Sequence, residues 1–322
     1  MNKKNPRASR LSGIDLMRCF LALCVIFLHM KSKSRYPDEV NNFINNLGVY
    51  LGGAVAGFFL ISGFFTRQQE KLALSQLWTG FKKNLVRLGI PFFFFSILYA
   101  IIQAGMKKST LSKGLINSLT LQGSSMQLYF LPYLFYIVLA FLVVSSVLGQ
   151  LKSKQLCWMV GLTVILLFVA ESMRTPAAFG ADVKLLPLYA AMFILGNCFA
   201  TLLRENKKAF AVFSVVVLIG FGILAFNDIR FIGLTITLIL FLLAIALSSA
   251  PFLQGKSFYG SGGVYLLHTP LLNFTISTIV LRLGISGFAN LFVSIFLTFA
   301  VCLALTVWFV SRYKSMRYLL LE

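Results

Sequence analysis

The chain has 322 residues, of which 58% are hydrophobic and only 12% charged, and its mean hydropathy is +0.86. A soluble domain of this size needs far more polar surface, so the composition points to an integral membrane protein with no space for a large soluble domain. The net charge of +20 sits in short clusters between apolar runs, and anionic lipid headgroups and topology account for it better than nucleic acid does.

Apolar segments of spanning length are predicted at 12–30, 47–66, 85–105, 127–149, 156–172, 184–203, 208–226, 229–250, 261–282 and 289–311. The fold class is therefore all-α: a polytopic membrane helical bundle of about ten transmembrane helices. One transmembrane domain occupies 1–322, with a tail over 1–11, the bundle over 12–311 and a second tail over 312–322. An even number of helices puts both termini on one side. Basic residues at 3–10, at Arg67, Lys71, Lys82, Lys83 and Arg87, at Lys152 and Lys154, at Arg204, Lys207 and Lys208, at Lys256, and at Arg312, Lys314 and Arg317 outnumber those of the opposite loops. The opposite loops carry Lys31, Lys33, Arg35, Lys107, Lys108, Lys113, Arg174, Lys184, Arg230 and Arg282. Both termini are expected to be cytoplasmic.

The first segment reads as a retained helix. It carries Asp15 and Arg18, lacks a small-x-small cleavage site, and is followed by Lys31, Lys33 and Arg35. In the second, Gly48, Gly52, Gly53, Ala54, Ala56 and Gly57 suit close helix packing. Phe92 to Phe95 in the third read as lipid-facing or packing surface. Pro187, close to a helix start, is the internal proline nearest a mid-helix position. Cys19, Cys24, Cys157, Cys198 and Cys302 all fall in apolar runs without metal-ligand spacing, as buried small hydrophobes rather than a metal site.

The chain has two histidines, His29 and His268, both within apolar segments. Arg18 lies eleven residues before His29, a step that returns to within about 20° on a helix and rises about 16 Å. The pair therefore shares a face about half a bilayer long, and an intramembrane cation implies a polar pathway or site. Asp15 lies on the same face and also fits a capping box opened by Ser12. Arg18 is alternatively a snorkelling interfacial residue. His29 suits a general base, because imidazole accepts and returns a hydroxyl proton near neutral pH. Tyr265 and His268 are neighbours on one helical face, with a structural hydrogen bond as the plain alternative. Ser62 reads as a packing or backbone-bending serine rather than a nucleophile.

Asp15-x-x-Arg18 followed by His29 resembles the opening signature of the acyltransferase 3 family of integral membrane O-acyltransferases. Gly57-Phe-Phe-Leu-Ile-Ser62-Gly63-Phe64-Phe65, Tyr129-Phe130-Leu131 and Tyr265-Leu-Leu-His268-Thr-Pro270 resemble later motifs of that family, in family order. Lys83-Asn84-Leu-Val-Arg87-Leu-Gly-Ile-Pro91 departs from the family's loop, with asparagine at a basic position and one extra residue before the proline. Lys82 is a candidate substitute.

The resemblance implies transfer of an acyl group, commonly acetyl from acetyl-CoA, to a hydroxyl of an envelope glycan or lipid-linked sugar in a bacterial inner membrane. It implies His29, Arg18 and Asp15 as catalytic residues and Arg18, Lys82, Lys83 and Arg87 as the donor site. Tyr265, His268 and Tyr129 are assigned to substrate, and no metal or nucleic acid is expected. Some members carry an esterase-like extracytoplasmic domain, for which 311–322 leaves no room. The alternative is a proton-coupled transporter or flippase using Asp15, Arg18, His29 and His268.

Overall fold

The computed structural model describes residues 11–66, 74–106, 109–120, 123–148, 153–172, 185–253, 256, 258–313 and 315–321. The basic residues at 3–10, together with Arg67, Lys71, Lys107, Lys108, Lys152, Arg174, Lys184 and Lys314, lie outside them, as do the side chains of Lys154 and Cys157.

Among the described residues the fold is helical without strands. The helices are α1 (Ser12–Leu28), α2 (Asp38–Leu51), α3 (Ala54–Phe65), α4 (Leu74–Asn84), α5 (Ile90–Gly105), α6 (Leu111–Leu119), α7 (Phe130–Leu148) and α8 (Ser153–Ser172). They continue as α9 (Leu186–Glu205), α10 (Lys207–Asn227), α11 (Ile232–Leu247), α12 (Ser261–Leu267), α13 (Asn273–Arg282), α14 (Gly287–Arg312) and α15 (Met316–Leu319). Among the described residues, 8 helical stretches are long and apolar enough to cross a membrane. The other two predicted segments fall on α1, of 17 residues, and on the shorter apolar stretch Trp158–Glu171 of α8.

The second segment begins earlier than its hydropathy suggests. Its helix starts at Asp38, and α2 and α3 meet at Gly52 and Gly53 in one stretch, Asp38–Phe65. The asparagines of α2 lower its hydropathy while Val40 and Ile44 still face the core.

Close approach of helix backbones fixes the centre of the bundle. A Cβ on Gly63 would lie 1.8 Å from the Phe193 carbonyl oxygen, and one on Gly196 1.9 Å from that of Leu60, so α3 and α9 touch backbone to backbone. Gly53 meets Gly233 of α11 in the same way, at 2.2 Å from its carbonyl oxygen. Such contact maximises van der Waals packing where lipid supplies no hydrophobic drive. Asn197 reinforces it by donating to the carbonyls of Gly63 (3.3 Å) and Thr66 (2.8 Å) at the end of α3. By contrast α10 exposes Val212, Val215, Val216, Ile219, Ile223 and Phe226, the surface expected toward lipid.

Two helices are interrupted. Between α4 and α5 the chain takes a π-helical turn, Leu85–Gly89, ahead of Pro91 in the first turn of α5. A π turn holds more residues than an α turn, so it accommodates the extra residue before Pro91. Between α12 and α13, His268–Leu272 breaks the apolar stretch Ser261–Arg282, and Thr269 is extended at φ −130° and ψ 152°. Pro270 disfavours the helical region for the residue before it. Pro270 and Pro91 thus both stand at interruptions inside spanning stretches, whereas Pro187 sits in the first turn of α9.

The predicted tail over 312–322 does not hang free. Leu320 is buried, and its carbonyl oxygen packs where a Cβ on Gly262 would meet it at 2.5 Å.

Candidate active site

A cavity of about 390 Å³ opens among α1, α3, the α4–α5 junction, α7 and α12, with Arg18, Ser62, Lys83, Asn84, Arg87 and Tyr265 in its wall. Arg18 is half-buried, whereas Lys83 and Arg87 are exposed at the mouth. The π turn that carries Arg87 brings it into the same wall as Lys83. Three cations therefore converge from two elements far apart in sequence. Asn84, at the family's basic position, lines the cavity with its amide tied to the Gly80 carbonyl at 3.0 Å. Leu321 adds the tail to the wall.

Lys82 is not part of this wall. Its ammonium lies 5.1 Å from the centre of the Trp78 ring, a cation–π contact outside the cavity. Asp15 is buried in the first turn of α1 but is not in the wall either, and it has a polar interaction of its own. The capping box does not form: Leu11 is the N-cap without a side-chain bond, and the Ser12 hydroxyl donates to the Lys256 carbonyl at 2.5 Å. Asp15 keeps its favourable place near the helix N-terminus.

The two histidines meet. Their ring centres are 5.3 Å apart with planes inclined at 40°. His29 is half-buried at the C-cap of α1, and His268 is wholly buried. His268 Nδ1 faces the carbonyl oxygens of Tyr265 (2.8 Å) and Val264 (3.2 Å). Carbonyls only accept, so Nδ1 carries the hydrogen, and Nε2, buried without a partner, holds the free lone pair of a neutral ring.

Arg18 and His29 thus both face the stretch from Gly262 to His268: Arg18 shares its cavity with Gly262 and Tyr265, while His29 meets His268 just past the end of α12. The face predicted from the eleven-residue spacing is the face that packs here. Tyr265 lines the cavity and lies 6.1 Å from the His268 ring. With Phe58 and Phe130, at 5.6 and 5.3 Å, it forms an aromatic cluster in the cavity wall. Tyr129 packs against Tyr133 and Tyr189. Its hydroxyl pairs with that of Tyr189 at 3.2 Å, and it is absent from the cavity wall.

Gln127 escaped the sequence reading. It is fully buried, its carbonyl accepts from the Tyr265 hydroxyl at 2.8 Å, and its side-chain amide donates to the Thr269 carbonyl. It ties down both flanks of His268. The signal for it was an amide at the start of an apolar run. Beyond α1, Arg35 donates to the Asn273 carbonyl at 3.3 Å and lies 5.1 Å from the Phe274 ring centre. Burial holds the Arg35 guanidinium below its usual range and pushes the Tyr36 phenol up.

A family model described as an acyltransferase domain matches residues 11–307. The chain belongs to the acyltransferase 3 family. No curated protein and no solved structure gives a significant match. Membership makes this multi-pass helical protein a membrane acyltransferase. Within that family the cation-lined cavity and the histidine pair become the two halves of a candidate catalytic apparatus.

Proposed function

We propose that this acyltransferase moves an acetyl group from acetyl-CoA to a hydroxyl of a cell-envelope glycan or lipid-linked sugar, in a bacterial inner membrane with both chain termini cytoplasmic. The observation that carries the reading is the convergence of Arg18, Lys83 and Arg87 on one open cavity, with His29 farther along the Arg18 face of α1. Apolar walls with a few convergent cations fit a donor that combines phosphates with a long uncharged arm. The mouth is open, so the cavity takes part of the donor and leaves the rest outside.

The chemistry follows from the placement. His29 takes the proton of the acceptor hydroxyl as its oxygen attacks the thioester carbonyl. The carbon–sulfur bond breaks, the thiol leaves, and the proton returns through His29 to the thiolate, leaving an ester and free CoA. Arg18 holds the donor's anionic part, and the rise of about 16 Å to His29 is the distance the donor's arm spans past Tyr265. His268 and Tyr265 support the acceptor end. Tyr129 contributes through the aromatic packing behind Tyr265 rather than by contact with substrate.

The test is mass spectrometry of envelope glycans from cells with the wild-type gene, its deletion and His29→Ala. One acetyl increment appearing with the wild type alone supports the reading. Indistinguishable glycans in all three overturn it. A transport function has one observation in its favour, the helix broken at His268–Leu272 within a spanning stretch, a feature that lines substrate paths in transporters. Substrate flux without acetylation would establish it.

A further inference from the structure

Among the described residues, the buried side-chain atoms without a hydrogen-bond partner are Arg35 Nε, the Tyr36 hydroxyl, His268 Nε2, both amide atoms of Asn273 and the Thr298 hydroxyl. Those of Arg35, Tyr36 and Asn273 occupy one neighbourhood. Arg35 lies over Tyr36 and bonds to Asn273 and Ser277. The Tyr36 hydroxyl faces Ser277 and Ser294 without making a well-formed bond. Asn290 stitches α14 to α13 by donating to the Ser277 carbonyl at 3.1 Å and accepts from the Ser294 hydroxyl one turn on at 3.1 Å, and Thr298 lies one turn beyond Ser294. Asn273 opens α13 directly after the break that begins at His268, the residue against which His29 rests.

Unmade bonds of this kind are costly, about 1–3 kcal/mol for each buried group, and native proteins keep few of them. Elsewhere among the described residues buried hydroxyls are satisfied. Ser96, Ser118 and Ser124 bond among themselves at 2.7 to 3.3 Å and to the Gly114 carbonyl. The unsatisfied groups around Arg35, at the start of the helix that follows the His268 break, mark a place built for something that brings its own donors and acceptors. Asn273 offers an acceptor and a donor side by side, and the Tyr36 and Thr298 hydroxyls each do both. Arg35, in the loop after α1, is half-buried and is the member of the group nearest solvent. Adjacent hydroxyls on a sugar ring match such a set, and the rings of Tyr36 and Phe274 offer apolar faces beside it.

We propose that Tyr36, Asn273 and Thr298, with Arg35 beside them, form the acceptor subsite, holding sugar hydroxyls by hydrogen bonds and presenting one of them to His29 and His268. The assignment rests on the acyl-transfer reading above and adds to it the residues that select the acceptor.

Two isosteric substitutions test it, Tyr36→Phe and Thr298→Val, each deleting one unpartnered hydroxyl without altering shape. The full-length protein is assayed in membrane vesicles from the producing cells, with radioactive acetyl-CoA and the envelope glycans those vesicles carry. In parallel, the thermal shift caused by CoA is measured on protein in detergent. The expected result is an unchanged or raised melting temperature, an unchanged CoA shift, and label incorporation reduced about tenfold by each substitution. Asn273→Ala, which removes two groups, is expected to reduce it further. Wild-type incorporation by all three variants overturns the subsite and leaves the cluster as water-filled packing. Loss of the CoA shift together with incorporation also overturns it, since the groups would then serve the donor or the fold. A wild-type protein that neither responds to CoA nor transfers label removes the acyl-transfer reading itself, and the subsite with it.

Discussion

Arg18→Gln is the sharpest probe of the cation cavity, because its four nearby basic side chains differ in burial and direction. Arg18 is half-buried in the wall, Lys83 and Arg87 are exposed at the mouth, and Lys82 turns to Trp78 outside it. A hydrogen bond from a partly desolvated charged group contributes about 1.5–3 kcal/mol. Loss of Arg18 should therefore lower kcat/KM for the donor by about 10- to 150-fold. The exposed pair is worth about 0.2–1 kcal/mol each, so Lys83→Ala and Arg87→Ala should cost about fivefold or less. Salt separates the two classes further. Screening over about 8 Å at physiological ionic strength weakens the mouth and spares Arg18. Lys82→Ala should stay within about twofold of wild type, as its cation–π partner lies elsewhere. The assay is steady-state release of CoA thiol by purified protein in nanodiscs, at several salt concentrations. Equal losses for Arg18→Gln and Lys82→Ala would refute the reasoning, since topology and overall charge would then explain both.

Other substitutions address the remaining parts of the site and the fold. His29→Ala should abolish acetylation while leaving the CoA-induced thermal shift intact; residual transfer near the wild-type rate would remove His29 as the base. Gly63→Ala, whose Cβ would meet the Phe193 carbonyl oxygen at 1.8 Å, should lower the melting temperature in detergent sharply, by several degrees or more. Gly161→Ala, with open space around it in α8, should hold or raise that temperature by helix propensity alone. Gln127→Ala leaves the Thr269 carbonyl without its donor; transfer should fall at least tenfold with CoA binding retained, and unchanged turnover would detach Gln127 from the site.

The spacing of Arg18 and His29 was legible because helical periodicity is local: eleven residues return to one face whatever the partner is. Membrane class, segment positions and the tight packing of the second segment were legible for a similar reason, since hydropathy and small residues act where they stand. The broken helix at His268 was less legible. Its apolar composition continues through Thr269 and Pro270, and the interruption lies in backbone geometry.

The amino-acid sequence by itself determined a helical membrane protein, the polar face of α1 and a set of motifs in family order. Only the tertiary structure decided which distant residues meet. It set His268 against His29 across more than two hundred residues, in a bundle where backbone-to-backbone contacts such as Gly13 with Ala244, Gly53 with Gly233 and Gly63 with Phe193 fix which helices are neighbours. It drew Lys83 and Arg87 into the cavity of Arg18 and left Lys82 on Trp78, a difference between adjacent side chains that charge alone does not encode. It also folded the C-terminal residues back onto Gly262 and brought Arg35 and Tyr36 of the loop after α1 against Asn273 and Ser277 of α13. Helix formation is governed by neighbours in the chain, whereas a binding site depends on contacts whose loop-closure cost is met only when the whole bundle packs.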